Sequence, residues 1–260
     1  MFRELLESIG AYKLYETWLE NTITHENIPK HLGVILDGNR RWAQAHNMTP
    51  SQGHGEGAET VEKFLDWCLE LGINTITLYS FSTENFQRDK EEVQALFKLF
   101  EETLEKVLKS PRIHKNQVHI RAIGRTENLP INLQTRIKQV EEATQNYTRF
   151  YLNIAIAYGG RAEIVDAIKT IAMEIIQGEI TPDMIDENLI ENHLYTAHLP
   201  NPNPDMIIRT SGESRLSNFL IWQSAYSEIF ILDVYWPNFR KIDLMRAIRG
   251  YQMRHRRHGK

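Results

Sequence analysis

Cysteine is almost absent from this chain of 260 residues, which contains only Cys68. A single cysteine cannot form an intrachain disulfide or a cysteine zinc cluster, so both are excluded. No apolar run approaches the roughly 18 residues that are needed to span a bilayer. The acidic N-terminus, with Glu4, Glu7, Glu16 and Glu20, lacks the basic start and apolar core of a secretory signal. These absences predict a cytoplasmic protein.

A strong net charge is also lacking, because 30 basic and 34 acidic residues leave a formal charge of −4. Neither a GxGxxG sequence nor a Walker A lysine pattern occurs, so the common nucleotide motifs are absent. Residues 240–260 are the exception, with eight lysines and arginines and one acidic residue. Such a tail is compatible with a solvated helix face, or with contact to nucleic acid, lipid headgroups or a phosphorylated substrate. The near-neutral balance of the whole chain argues against nucleic acid as a partner.

The first 27 residues predict an amphipathic helix that precedes the main domain. Its apolar residues recur at helical spacing along one stripe, namely Phe2, Leu5, Ile9, Tyr12, Tyr15 and Leu19. The first 20 residues hold two basic and four acidic side chains, so anionic lipid would not attract them. This charge favours packing on the protein or on another subunit, and peripheral membrane contact remains the alternative.

Residues 28–260 alternate predicted strands and helices, which indicates a single α/β domain. The strands are predicted at His31–Asp37, Asn74–Ser82, Gln117–Ile123, Arg149–Tyr158, Asp205–Arg209 and Glu228–Tyr235. The helices are predicted at His54–Leu71, Lys90–Lys109, Leu133–Gln145, Ala162–Gln177, Pro182–Tyr195, Ser217–Ser227 and Ile242–His255. Strands that are apolar at consecutive positions, as in LNIAIAY, are typical of a buried parallel sheet. We therefore expect one six-stranded, mostly parallel sheet flanked by helices.

Basic residues follow the predicted strands at the edge where open α/β sheets bind ligands. Four strand ends supply Arg40, Arg41, Arg88, Arg161, Arg209 and Arg215. Guanidinium groups pair well with phosphate oxygens, and this number suggests one diphosphate or two. The acidic residues Asp37 and Glu228 are candidate Mg²⁺ ligands in such a site. Surface salt bridges are the alternative explanation for each arginine taken alone.

Two further features have alternative explanations. His54 begins a predicted helix among glycines, where it is either a phosphate donor or a structural cap. The predicted helix Lys90–Lys109 carries an apolar face with Leu96, Phe100 and Leu104. Core packing is the simpler explanation of that face, and a wall for a long apolar ligand is the alternative.

Five stretches together resemble the cis-prenyltransferase, or undecaprenyl diphosphate synthase, family and in particular its archaeal-like branch. They are HLGVILDGNRRWA (31–43), GHGEGA (53–58), TLYSFSTENFQR (77–88), NIAIAYGGR (153–161) and IIRTSGESRLSNFLIWQSAYSEIFILDVYWP (207–237). The resemblance implies an Mg²⁺-dependent homodimer that condenses isopentenyl diphosphate onto farnesyl or geranylgeranyl diphosphate. The resulting polyprenyl diphosphate would be the precursor of a glycosyl carrier lipid.

The resemblance also implies roles for individual residues. Asp37 and Glu228 would bind the metal, and Asn85 is the residue that the family assigns to proton transfer. The allylic diphosphate would contact Gly38, Asn39, Arg40, Arg41, Trp42 and His54, with Ser82, Thr83, Glu84, Phe86 and Arg88 bordering the substrates. Isopentenyl diphosphate would contact Arg209, Arg215, Leu216 and Ser217, and the Arg257-His258-Gly259 element would reach a diphosphate across the dimer.

Four positions depart from the common bacterial pattern and favour the archaeal-like branch. Arg40 replaces a glycine, Pro50 an arginine, Phe86 a tryptophan and Ser214 a histidine. Arg40 supplies the charge that Pro50 lacks.

Other functions fit the sequence less well. A neutral amide is too weak a base, so we expect Asn85 to orient groups while a diphosphate oxygen or Asp37 accepts the proton. An aspartate-dependent phosphatase would need a second acid where Asn39 stands. A catalytically silent subunit is disfavoured by the presence of Asp37, Asn85 and Arg209 in one chain. RNA binding through the basic tail is a further alternative.

Overall fold

Apolar residues at consecutive positions place the central strands inside the protein, and all five residues of β1 (His31–Ile35) are buried. A computed structural model describes residues 11–254. The remaining strands are β2 (Thr75–Ser82), β3 (Val118–Ile123), β4 (Phe150–Tyr158), β5 (Met206–Arg209) and β6 (Glu228–Ile231). Their order is β3-β4-β2-β1-β5-β6, and every neighbouring pair is parallel. The predicted α/β fold with six strands is confirmed, although the last strand ends at Ile231 rather than Tyr235.

Nine α-helices in the described part of the chain pack around this sheet. They are α1 (Ala11–Thr22), α2 (Asn39–Ala45), α3 (Pro50–Leu71), α4 (Lys90–Lys109), α5 (Pro111–Lys115), α6 (Ile131–Thr144), α7 (Gly160–Gln177), α8 (Glu187–His193) and α9 (Lys241–Gln252). α3 begins earlier than predicted because Thr49 and Gln52 form a capping box around Pro50. The short helices α2 and α5 were not predicted. No helix between residues 11 and 254 is long and apolar enough to cross a membrane.

The helix predicted at Ser217–Ser227 is wrong, since this segment consists of turns. Ser217, Asn218 and Leu220 have positive φ angles of 48°, 66° and 42°. Residues other than glycine rarely adopt this left-handed backbone conformation, and it is incompatible with a continuous right-handed helix. The helix predicted at Pro182–Tyr195 is also shorter, because α8 follows a separate 3₁₀ turn at Pro182–Met184.

The described part of the N-terminal helix packs on the body of the protein. Leu19 of α1 is fully buried, and Lys241 at the start of α9 donates a 2.8 Å hydrogen bond to Glu20. The guanidinium of Arg249 lies 4.5 Å from the ring centroid of Trp18. Packing of this helix on the protein is therefore confirmed for residues 11–22, whereas the part of the predicted stripe at residues 1–10 lies outside the described residues.

Candidate functional site

Asp37 and Arg209 lie side by side at the carboxyl ends of the neighbouring strands β1 and β5. The chain leaves β1 toward β2 on one side and returns to β5 on the other, so this is a switch point of the sheet. Arg209 Nη2 donates to Asp37 Oδ2 over 2.7 Å, and the Arg209 side chain is 6% exposed. Thr210 fixes the backbone beside them, because its hydroxyl donates to the Asp37 carbonyl and accepts from the Asp37 N–H.

The charge state of Asp37 follows from these neighbours. Burial by itself would raise the pKa of Asp37, but the hydrogen bond and charge of Arg209 hold that pKa below its usual value. Arg41 acts in the same direction through its guanidinium, which lies 3.1 Å from Asp37 Oδ1. The site therefore presents an ionised carboxylate between two arginines at neutral pH.

The predicted diphosphate cradle begins at Gly38, where β1 passes into α2. Gly38 has a φ of 107°, and a Cβ at this position would lie 2.8 Å from Tyr235 Cδ1, so glycine is required on both grounds. Arg41 donates from Nη2 to Ser211 Oγ over 2.6 Å and from Nη1 to Glu213 Oε1 over 3.1 Å. Glu213 also pairs with Arg215 at 2.6 Å. The β1 and β5 ends are thus joined by a network of guanidinium and carboxylate groups.

Two glycines of α3 leave the room that lets Asn39 pack closely against that helix. A Cβ at Gly53 would lie 2.4 Å from the Asn39 carbonyl oxygen, and one at Gly57 would lie 2.6 Å from Asn39 Oδ1. Asn39 Oδ1 is buried and has no hydrogen-bond partner within the chain. A buried amide oxygen without a partner is costly, and a bound cation or its water would compensate it, whereas the oxygens of an ionised diphosphate would not.

The turn after β5 brings Ser217 to the same arginine. Arg209 Nη1 donates to Ser217 Oγ over 2.7 Å and also to the Arg215 carbonyl oxygen. Leu216 between them packs against the apolar side chains on that face of the sheet. Ser217 makes this contact from a left-handed backbone conformation, which residues other than glycine rarely adopt.

The segment after β2 forms the opposite side of the site. Ser82 and Asn85 cap each other's backbone N–H groups, with Asn85 Oδ1 accepting from the Ser82 N–H over 3.0 Å. Thr83 Oγ1 lies beside Gly159, where a Cβ would approach it to 2.8 Å. Glu84 accepts from Asn218 Nδ2 over 3.2 Å. Burial opposes the charge of Glu84, but hydrogen bonds from its own N–H and the neighbouring side chains hold its pKa below its usual value.

A third group of predicted residues surrounds a carboxylate that the sequence analysis did not identify. Glu92 Oε1 lies 3.3 Å from His54 Nε2 and 3.1 Å from Arg88 Nη1, and Glu92 Oε2 lies 3.7 Å from Arg40 Nε. Burial lowers the pKa of His54, so this imidazole is neutral at neutral pH. The structure thus brings Arg40, His54 and Arg88 together.

Part of this polar cluster lines one end, the mouth, of a cavity of about 820 Å³, and Arg41 and Glu92 contact lining residues through ion pairs. Asp37, Asn85 and Arg209 line its polar end. Away from them the walls are mainly apolar side chains of the sheet and of α3, α4 and α6, among them Val61, Leu65, Leu99, Phe100, Leu104, Ile120 and Ile137. Charged side chains, including Glu62, Asp66, Lys106 and Arg112, line the cavity as well. The α4 face lines this cavity, and Leu96 and Leu104 also belong to the buried core, so both interpretations of its pattern hold. Phe86 borders this region through Phe81 and Phe97, whose ring centroids lie 5.0 and 6.1 Å away.

Two predicted site residues lie elsewhere in the structure. Trp42 is buried, stacks on His46 and donates from Nε1 to Asn238 over 3.0 Å, so it supports α2 and does not line the cavity. Glu228 pairs in register with Met206 at the amino end of β5, the opposite edge from Arg209, and its carboxylate contacts Arg254. Asp37 and Glu228 therefore cannot share one metal ion within a single chain. Arg257 and Gly259 lie outside the described residues.

The sequence analysis missed four polar residues of the site, Thr210, Ser211, Glu213 and Glu92. The first three lie in the stretch after β5 that supplies Arg215, and their position directly after the end of a strand could have identified them. Glu92 offered no such signal, because an acidic residue in the first turn of a helix is ordinary.

Comparisons with known proteins identify the family of this chain. The model of the family Prenyltransf, described as undecaprenyl diphosphate synthase, matches residues 35–259. The tritrans,polycis-undecaprenyl-diphosphate synthase (geranylgeranyl-diphosphate specific) of Methanocaldococcus jannaschii is 54% identical over 259 residues, covering 100% of this chain and 92% of the relative. The protein of the same name from Pyrococcus horikoshii is 49% identical over 250 residues, covering 96% and 94%.

Solved structures show the same similarity. The lavandulyl diphosphate synthase of Lavandula x intermedia, in complex with dimethylallyl diphosphate, superposes with a TM-score of 0.87 at 36% identity. A probable undecaprenyl diphosphate synthase from Campylobacter jejuni gives a TM-score of 0.73 at 33% identity. Each match covers 90% of this chain and 100% of the other. With its cluster of arginines around Asp37 at the mouth of an apolar cavity, this chain belongs to the undecaprenyl diphosphate synthase family of prenyltransferases.

Proposed function

We propose that this enzyme adds isopentenyl diphosphate repeatedly to geranylgeranyl diphosphate and forms a long tritrans,polycis polyprenyl diphosphate. The observation that carries the proposal is the division of the cavity into an arginine-rich mouth and a long apolar interior. The mouth suits two diphosphates, and the interior suits a growing hydrocarbon chain. Relatives that share about half of their residues with this chain are named as specific for geranylgeranyl diphosphate, and this favours that starter over farnesyl diphosphate.

A magnesium ion carried by the substrate fits the residues at the mouth. Asp37 is an ionised carboxylate there, and the described residues contain no group of three or more His, Cys, Asp or Glu side chains that could hold a metal alone. Mg²⁺ is commonly bound by one or two carboxylates together with substrate phosphates, so one aspartate is a sufficient protein ligand. When bound, the ion would neutralise negative charge that develops on the departing diphosphate.

The side chains of the mouth support ionisation of the allylic diphosphate. When the allylic C–O bond breaks, its electron pair leaves with the diphosphate, whose charge Arg41 and Arg209 stabilise. The apolar walls exclude water from the allylic cation. The double bond of isopentenyl diphosphate then forms the new C–C bond, and a proton leaves to a diphosphate oxygen or to Asp37. Asn85 orients the turn after β2 and does not act as the base.

The direct test supplies labelled isopentenyl diphosphate, Mg²⁺, and either farnesyl or geranylgeranyl diphosphate. We expect labelled lipid that requires a starter, forms best with geranylgeranyl diphosphate and disappears in Asp37→Ala. Asp183→Ala, at an exposed position away from the cavity, is the matched control and is expected to retain activity. Absence of labelled lipid with both starters, from folded protein, would contradict the proposal and would favour a catalytically silent subunit.

A homodimer is part of the same proposal. The outward face of α7 carries an exposed apolar stripe of Val165, Ile168, Ala172 and Ile176, in addition to the buried Ala167 and Ile171 that face inward. An exposed apolar stripe of this kind is typical of a protein interface. Ile168→Glu should therefore shift the protein from dimer to monomer in size-exclusion chromatography with light scattering, and a wild-type monomer would contradict the proposal.

A second copy is also what the predicted roles of Glu228 and the Arg257–Gly259 element require. Glu228 lies at the far edge of its own sheet, so it can contribute to a metal site only in another subunit. Peripheral membrane contact remains a further proposal for the N-terminal helix, whose Leu14 is 75% exposed. Co-sedimentation of the wild type and Leu14→Ser with neutral lipid vesicles would test it, and equal binding of both would contradict it.

A further inference from the structure

Glu92 is a largely buried carboxylate that three basic residues contact from three different elements. Its side chain is 9% exposed, although it lies in the first turn of α4. Arg40 comes from α2, His54 from α3 and Arg88 from the end of the 3₁₀ turn Thr83–Gln87. The carboxylate therefore joins three separate elements at the mouth of the cavity.

The helix dipole alone does not explain this arrangement. Acidic residues are favoured in a first helical turn, and the neighbouring Glu91 satisfies that preference in an exposed position. A carboxylate as buried as Glu92 needs compensation by cations and hydrogen bonds. Conversely, Arg40 and Arg88 both approach the same carboxylate, and their positive charges would repel each other if that anion were absent. The carboxylate and the bases thus require each other.

Arg40 and Arg88 also have no other ion-pair partner among the contacts that the structure gives for residues 11–254. Asp37 and Glu213 pair with the remaining cations of the mouth, namely Arg41, Arg209 and Arg215. The mouth therefore contains two groups of cations, one organised by Asp37 and Glu213 and the other by Glu92. Two groups are the number that a reaction between two diphosphates requires.

The same contact constrains the imidazole of His54. The charged groups that face it are Glu92, Arg88 and Arg40, and burial keeps the ring neutral at neutral pH. A neutral ring that contacts a carboxylate through Nε2 carries its proton on that nitrogen. Glu92 therefore determines both the position and the tautomer of His54.

We propose that Glu92 is a positioning residue whose carboxylate holds Arg40, His54 and Arg88 together as one receptor for a diphosphate group. This inference rests on the proposed function, because the diphosphate is that of a prenyl substrate. Glu92 does not touch the reacting atoms, and it acts through the three bases.

Glu92→Gln tests the proposal, with Glu91→Gln as the matched control. Glutamine keeps the length and one acceptor oxygen but removes the charge, and both variants change the net charge equally. We expect Glu92→Gln to raise the KM for the allylic diphosphate roughly tenfold while kcat changes less than about twofold. Binding of inorganic diphosphate, measured by calorimetry, should weaken to a similar extent. Glu91→Gln should match the wild type in both measurements.

A titration of His54 by NMR provides a readout that loss of packing alone would not produce. The carboxylate of Glu92 raises the pKa of His54 against the opposing effects of burial and of the two arginines. Glu92→Gln should therefore move the His54 titration to lower pH, whereas Glu91→Gln should leave it unchanged. Glu92→Asp, which keeps the charge on a shorter side chain, should give values between those of the wild type and Glu92→Gln.

The outcomes separate this inference from the proposed function. Unchanged or tighter diphosphate binding in Glu92→Gln, or an unshifted His54 titration, would overturn the role of Glu92 even if the wild type is active. Equal effects in Glu91→Gln would overturn it as well. A wild type that binds diphosphate but forms no labelled lipid would count against the proposed activity and leave the calorimetric and NMR comparisons valid.

Discussion

At the scale of single residues, Asn85 shows how a capping contact limits a catalytic role. Its Oδ1 already accepts a hydrogen bond from the Ser82 N–H, which fixes the turn after β2. We expect Asn85→Asp to retain measurable turnover, since a carboxylate oxygen accepts the same bond, and Asn85→Ala to lose more. Loss of the cap should also cost about 1 kcal/mol of stability in Asn85→Ala. The labelled-lipid assay and urea unfolding measure both effects, and complete loss of turnover in Asn85→Asp with intact substrate binding would contradict this role.

Which site residues could be predicted depends on where each stands relative to its strand. Asp37 and Arg209 follow their strands, so the rule that ligands bind at carboxyl ends placed them together. Glu228 begins β6, and the same rule places it at the opposite edge, as the structure does. Glu92 was missed because its significance comes from burial against three distant bases, and no local pattern in the sequence encodes that contact.

At the scale of elements, α3 offers two glycines whose replacement should have opposite results. A Cβ at Gly57 would collide with Asn39 Oδ1 at 2.6 Å, whereas one at Gly55 would have no atom within 4 Å. We therefore expect Gly57→Ala to displace Asn39 and to lower kcat/KM at least roughly tenfold. Gly55→Ala should retain activity and gain about 0.5–1 kcal/mol, because alanine is the better helix former. Similar behaviour of the two variants would show that the Asn39 contact is unimportant.

The α4 helix should control how long a product the cavity accommodates. Leu104 lines the interior and is 7% exposed, so Leu104→Trp fills space that the hydrocarbon chain would occupy. We expect shorter products from this variant, resolved by reversed-phase thin-layer chromatography of the labelled lipid. Lys98→Trp, on the exposed face of the same helix, should give wild-type chain lengths. Unchanged products from Leu104→Trp would show that the chain does not pass this point.

Element prediction succeeded where periodicity was strong and failed where the backbone is strained. The strands and the long helices α3, α4 and α7 follow directly from apolar spacing, and their errors are confined to the ends. The segment Ser217–Ser227 was predicted to be helical, but Ser217 and Asn218 adopt left-handed conformations in which they contact Arg209 and the first turn of α7. The contacts of the site override the local conformational preference of these residues, and the sequence alone does not reveal where this happens.

At the scale of the whole molecule, the sheet carries a polar network at the amino end of β1 as well as the site at the carboxyl end. His31 is fully buried, donates from Nδ1 to the Asn201 carbonyl oxygen over 2.8 Å and accepts at Nε2 from Thr77 Oγ1 over 2.8 Å. These contacts join β1, β2 and the segment before β5. Because burial penalises the charged ring, it lowers the pKa of His31 to about 4.

This buried histidine should make stability depend on pH in a defined window. Between about pH 6.5 and pH 4 the unfolded chain binds a proton at His31 that the folded chain excludes, so stability falls as pH falls through that range. The loss attributable to His31 amounts to roughly 3 kcal/mol and does not grow further below pH 4. Urea unfolding at a series of pH values should show this slope in the wild type and a shallower one in His31→Gln. His46→Gln, at an exposed position, should keep the wild-type slope, and an equally steep slope in His31→Gln would assign the acid sensitivity to other groups.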